Sequence, residues 1–143
     1  MITINENHLE DAVAVSKQIS EFNNPYEIDE YLKRLQGNHL ILTACFDGQP
    51  VGFKIGYEQN DEGTFYSWMG GVLPEYRKQG IAEMLADYQE NWARENGYTT
   101  IRLNTREKHK AMQAFSLKRG FVITEKIAKI PEQESRIWME KLL

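Results

Sequence analysis

Val72-Leu73-Pro74-Glu75-Tyr76-Arg77-Lys78-Gln79-Gly80-Ile81-Ala82 changes hydrophobic period in its middle and carries glycine, alanine and positive charge at the change. Upstream, Thr64-Phe65-Tyr66-Ser67-Trp68-Met69 is rich in β-branched and aromatic residues and reads as a strand that Pro74 closes. Downstream, Ile81, Met84, Leu85, Tyr88 and Trp92 recur at helical spacing, with Ala82, Ala86 and Ala93 among them and Gly97 where the helix stops. A strand therefore passes through a basic glycine loop into a long helix. The first amides of such a helix have no partners within it and their dipoles point outward, so a phosphate is expected to bind there.

On the N-terminal side of this stretch, Met1 to Ile4 is β-branched enough for a strand. Asn7 stands where a helix cap would be, with Glu10 in the reciprocal capping position, and Ala12, Val13, Ile19 and Phe22 give that helix an apolar face. A second helix is expected from Asn24 as cap and Pro25 as first helical residue, with Glu27 in its first turn, Ile28, Tyr31, Leu32 and Leu35 on one face and Gly37 at its end. Leu40 to Phe46, Asp47-Gly48, and the alternation Val51, Phe53, Ile55, Tyr57 predict a hairpin. Residues 59–63 read as a polar loop, after which the strand at Thr64 is the third antiparallel neighbour.

On the C-terminal side, Tyr98 to Thr105 is a strand candidate, parallel to the strand before the long helix because a helix separates the two. Lys108 to Lys118, with Met112 and Phe115 on one side and Gly120 at its end, predicts a shorter helix. Phe121 to Thr124 and Ser135 to Met139 read as closing strands around Pro131. The order is β-α-α-β-β-β-α-β-α-β-β: an α/β (α+β) fold with a mixed, mostly antiparallel central sheet flanked by helices.

The 143 residues are read as a single domain, 1–143. A formal charge of −4 and a pI near 5.4 argue against nucleic acid, which requires clustered Lys and Arg, and suit a cationic small substrate better. Cys45 is the only cysteine, so no intrachain disulfide can form. His8, His39 and His109 lie far apart, without metal-ligand spacing, and no metal is expected. Met1 to Glu6 lacks a basic segment followed by an apolar run, and no apolar stretch approaches about 18 residues. A cytoplasmic protein with no membrane partner is the expectation.

Three phosphate-binding designs can be tested against the loop. A P-loop needs an upstream glycine and then Gly-Lys-Ser/Thr, but Ile81 follows Gly80. The dinucleotide fingerprint needs three glycines, and only Gly80 is present, with Ala82 two residues on. The third is Arg-x-x-Gly-x-Ala at Arg77 to Ala82, which removes side-chain bulk where backbone must approach an anion.

Val72-x-Pro-x-Tyr-Arg-x-x-Gly-Ile-Ala before an amphipathic helix resembles the acyl-CoA binding motif of the GNAT N-acyltransferases. The resemblance covers nearly the whole chain, including the meander and the Gly120-Phe121 that follows the short helix. It implies transfer of an acetyl group from acetyl-CoA to a primary amine, on a small molecule or a protein, by direct attack. It also implies that Lys78, Gln79, Gly80, Ile81, Ala82 and Glu83, with Arg77 before them, bind pyrophosphate. Gly70, Gly71 and Val72 match the strand end that pairs with pantetheine, and Asn104, His109 and Met112 complete the cofactor-binding set. In the family the strand pair, here Trp68 to Val72 and Ile101 to Thr105, splays around the thioester. Two glycines, Gly70 and Gly71, are consistent with a bulge or a close ligand there.

The family's usual proton-transfer residues, a Glu, an Asn and a Tyr, are replaced here by Asn104, His109 and Ser116. Asn104 is no base near neutrality, although it could bind pantetheine or order a water. Ser116 could donate to the leaving thiolate or be a helix-surface hydroxyl, and His109 could donate if it points inward. Tyr66, Glu27 and Asp29 are further base candidates. Two other readings stand beside the enzyme: a non-catalytic acyl-CoA sensor or binding module, and a small domain recognising another protein through Trp68 and Tyr66. The amine acceptor is not spelled out by Tyr26, Glu27, Tyr31 or Trp138, and edge strands near Trp138 could pair in a homodimer.

Overall fold

The hairpin expected at Asp47-Gly48 forms, with φ of +48° at Asp47 and +87° at Gly48, the two left-handed residues that a type I′ turn requires. It joins β2 (His39–Phe46) to β3 (Gln49–Asn60), and Phe46 faces Gln49 across it. The computed structural model describes residues 1–22, 24–60 and 62–143. The other elements are β1 (Ile2–Glu6), α1 (Leu9–Ser16), α2 (Ile28–Arg34), β4 (Thr64–Val72), α3 (Ile81–Glu95), β5 (Thr100–Arg106), α4 (Lys110–Lys118), β6 (Val122–Ile127) and β7 (Arg136–Leu142). The sheet order is β1-β2-β3-β4-β5-β7-β6, antiparallel at every junction except the parallel β4–β5 pair. This is the mixed, mostly antiparallel sheet flanked by helices that the pattern implies.

The alternation along β3 decides which face each helix covers. Val51, Phe53 and Ile55 are fully buried on one face, where Phe22 meets Phe53 edge-on at 6.2 Å between ring centroids. Gly52, Lys54 and Gly56 point to the other face. There a side chain on Gly52 would come within 3.4 Å of both Ile81 and Leu85 of α3. Fully buried Phe53 and Phe65 each contribute about 2–3 kcal/mol of transfer free energy. Gly56 is obligatory for a steric reason: a Cβ there would stand 2.7 Å from the Tyr66 carbonyl oxygen and closer still to the Phe65 ring. Gly56→Ala should therefore destabilise the fold by about 3 kcal/mol through overpacking, read as a lowered urea midpoint with unchanged slope.

Several boundaries differ from the expectation. Asn7 is not a cap; it takes a left-handed φ of +68°, and α1 starts after His8 and ends at Ser16. Ile19 and Phe22 lie beyond that helix, in turns that still bury Ile19. The second helix begins at Ile28 behind Glu27 rather than at Pro25, and Leu32 faces solvent. Of the loop expected over 59–63, Gln59 and Asn60 extend β3, and Asp61 lies outside the described residues. Trp138 sits on β7, inside the sheet; the edge strand is β6, which exposes Val122, Ile123 and Ile127. Among the described residues no helix is long and apolar enough to cross a membrane.

Candidate active site

The strand-to-helix connection is held at its base and open at its top. At the base, Leu73 donates its amide to the Val51 carbonyl at 2.8 Å. Arg77 Nε donates to the Val72 carbonyl at 2.9 Å, and its two terminal nitrogens donate to the Glu21 carboxylate at 2.8 and 3.1 Å. That pairing lowers the Glu21 pKa and raises that of Arg77. Beyond it, φ is +62° at Lys78 and +82° at Gly80, so the backbone turns twice through left-handed conformations before α3. The first helical bond runs from the Met84 amide to the Gly80 carbonyl at 3.0 Å. Among the described residues, the amides of 78–83 donate to no acceptor in the chain, and no side chain caps the helix. Successive open amides at a helix start form a concavity for an anion.

Immediately upstream, the sheet opens. The β4–β5 ladder runs from Thr64 opposite Thr100 to Ser67 opposite Leu103 and stops there. Trp68 to Val72 continue along β3, while Asn104 to Arg106 continue along β7. The strands thus part at Trp68 on β4, as expected, and at Asn104 on β5, three residues later than the Ile101 start expected. The bulge is also displaced. Ile55 pairs with Met69 and Gly56 with Ser67, which leaves Trp68 as the extra residue, whereas Gly70 and Gly71 pair regularly with Lys54 and Phe53.

The two faces of this opening differ in chemistry. On the α1–α2 face, Trp68 packs against Tyr26, Tyr31 and Tyr57, and the Arg34 guanidinium lies 4.6 Å from the Trp68 ring centroid. Arg34 donates to Glu30 at 2.8 Å. Tyr66 stacks toward Trp138 at 5.8 Å; burial first, and then Tyr57, push its hydroxyl above the usual tyrosine pKa, with Asn104 among the groups pulling against them. Tyr66 is therefore a protonated donor near neutrality rather than a base. Among the described residues, Asn104 Oδ1 is buried without a hydrogen-bond partner. Glu27 and Asp29 are exposed, and Glu27 pairs with Lys17 at 2.6 Å.

On the opposite face, a small cavity between α3, α4 and the last rung of the β4–β5 ladder is lined by Lys54, Ser67, Gln89, Leu103, Met112 and Ser116. Ser116 is 1% exposed, so it is an interior hydroxyl and not a helix-surface one. His109 caps α4 through its backbone. Burial, followed by the charges of Lys108 and Arg106, pushes its pKa below the ordinary histidine value. That shift favours the neutral ring near pH 7.

A family model described as the acetyltransferase (GNAT) family matches residues 7–121. The chain belongs to the GNAT acetyltransferase family. A comparison with curated protein sequences finds no match. The fold is similar to that of the ribosomal-protein-S18-alanine N-acetyltransferase of Escherichia coli, with a TM-score of 0.85 at 19% identity over 99% of this chain and 94% of that one. It is similar also to an aminoglycoside 6′-N-acetyltransferase complexed with coenzyme A, with a TM-score of 0.82 at 17% identity over 98% and 96%. A GNAT acetyltransferase from Elizabethkingia anophelis with acetyl-CoA bound gives 0.77 at 19% identity over 99% and 98%.

Within this GNAT frame, Gly70 to Val72 and Asn104 lie on the stretches of β4 and β5 that have parted, the loop 78–83 follows that stretch of β4, and Met112 lines the small cavity on the α4 side. Arg77 differs from the others, because Glu21 and Val72 already occupy its guanidinium. Sequence reasoning passed over Lys54, Gln89 and Arg119. A usable signal was present: Gly52-Phe53-Lys54-Ile55-Gly56 puts a lysine between two glycines on the strand face opposite the apolar one.

Proposed function

We propose that this GNAT protein is an acetyl-CoA-dependent N-acetyltransferase, cytoplasmic, that passes an acetyl group directly to a primary amine on a small molecule or a protein. The observation that carries the reading is the run of amides over 78–83, unpartnered among the described residues, that follows the stretch of β4 already parted from β5. Bound acetyl-CoA supplies an activated acetyl thioester. Lys78, Gln79, Gly80, Ile81, Ala82 and Glu83 would hold its pyrophosphate through their backbone, and Arg77 braces the loop from below. Gly70, Gly71 and Val72 offer a free strand edge to pantetheine, and Asn104 Oδ1, buried and unpaired, suits an amide N–H donor.

The faces divide the remaining work. The amine enters against Trp68 and Tyr66, where aromatic rings favour a cation before it loses its proton. A free alkylamine near pKa 10.4 is almost wholly protonated at pH 7, so water admitted past the exposed Glu30–Arg34 rim takes that proton. Ser116 Oγ holds a proton on the α4 side for the departing sulfur. Calorimetry with acetyl-CoA, followed by coenzyme A release measured with a thiol reagent across a panel of amines, tests this. Binding with release by at least one amine is expected. Binding with no release from any amine would instead favour the sensor, the reading suggested by Asn104 and Ser116 standing where the family carries Glu and Tyr.

A further inference from the structure

Lys54 has no part in the transfer chemistry above, yet its position is unusual for a lysine. It sits on the α3 face of β3, opposite Gly70, and its stem crosses the space that glycine leaves open. A side chain on Gly70 would stand 3.4 Å from Lys54 Cγ and 3.7 Å from Lys54 Nζ. The amine lines the same cavity as Ser67, Leu103 and Ser116, at the point where β4 and β5 separate. Among the described residues it has no hydrogen bond and no ion pair. Glu90, whose charge acts on the Lys54 amine, gives its carboxylate to Arg119 at 3.0 Å and Lys141 at 2.6 Å.

We propose that Lys54 is an internal acetyl acceptor: with acetyl-CoA in the cleft, Lys54 Nζ takes the acetyl group and becomes a covalently modified site. The inference rests on the acetyl-CoA reading of the cleft. The Nζ lone pair forms the bond to the thioester carbonyl carbon, the carbon–sulfur bond breaks with its electron pair going to sulfur, and the proton shed by the amine ends on coenzyme A as its thiol. No further reactant is needed. Burial lowers the amine to a pKa of about 8, with Glu90 opposing and Arg119 adding to the shift. About a tenth is then neutral at pH 7, against well under a hundredth for a lysine in water. Gly70 contributes by having no side chain between the amine and the strand edge.

The experiment incubates the full chain with acetyl-CoA, follows intact mass and peptide maps over time, and measures acetyl-CoA binding by calorimetry in parallel. One acetyl group is expected on Lys54, at least about tenfold faster than on exposed Lys33 and Lys118, suppressed by excess coenzyme A and absent in Lys54→Arg. The peptide map of the unmutated chain decides the matter even if Lys54→Arg folds poorly. Binding of acetyl-CoA with Lys54 left unmodified overturns the proposal and leaves the acetyl-CoA reading intact. Absence of binding overturns both. Acetylation spread evenly over surface lysines and insensitive to coenzyme A is chemical labelling and overturns it too.

Discussion

A Gly80→Val chain is expected to bind acetyl-CoA at least about tenfold more weakly, a loss of roughly 1.4 kcal/mol or more, and to lose turnover with it. The reason is backbone conformation, since a Cβ at Gly80 meets nothing within 4 Å among the described residues. Gly80 holds φ at +82°, where a β-branched residue is strained by about 1–2 kcal/mol. Valine relieves that strain by rotating the loop, and rotation changes the directions in which the amides of 78–83 point. Because nothing packs on the position, the melting temperature should fall only modestly. Gly80→Ala, which tolerates the left-handed region better, should fall between the two. Calorimetry on the three chains gives the comparison, and full affinity in Gly80→Val would remove the anion role from this loop.

The loop was legible because its cause is local. Glycine at a left-handed position, alanine two residues on, and an apolar helical period are all properties of neighbouring residues. The same holds for Asp47-Gly48, where two residues determine a turn and the turn determines register. Ile19 and Phe22 were misplaced for the converse reason. They stand at helical spacing from Val15, but what buries them is contact with Gly71 and Phe53, which an irregular segment makes as well as a helix. Arg77 reads as a phosphate ligand until Glu21, 56 residues earlier, takes its guanidinium. Ser116 stays open between thiolate donor and surface hydroxyl until α4 is docked and buries it beside the cavity it shares with Leu103. Lys54 carries a local mark, a lysine between two glycines, but the bulge at Trp68 and the pairing with Gly70 that give the position its surroundings come from a strand remote in sequence.

Removing the Arg119 side chain should cost the fold about 3 kcal/mol, more than any exposed ion pair in the chain. Arg119 follows α4 and reaches across to α3, donating to Glu90 at 3.2 and 3.0 Å, to Asp87 at 2.8 Å and to Glu83 at 3.4 Å. The exposed Lys17–Glu27 pair at 2.6 Å is as close, but solvent screens it and its expected worth is at most about 1 kcal/mol. Arg119 and Glu90 are only 10% and 7% exposed, so water cannot take the guanidinium's place. Lys141 remains on Glu90 at 2.6 Å, which keeps the cost of Arg119→Ala at the lower end of the range for a broken buried pair. Replacing both partners should be milder than replacing Glu90 alone: Glu90→Met with Arg119→Met removes the buried guanidinium together with its carboxylate, fills similar volume, and leaves only Lys141, 22% exposed, to turn to water. Urea denaturation of the single and double variants measures the coupling, expected above about 1 kcal/mol for groups in direct contact. Strict additivity would mean that α3 and α4 are held together by packing alone. In that case the cavity between them, with Lys54 and Ser116 on its wall, would owe nothing to this cluster.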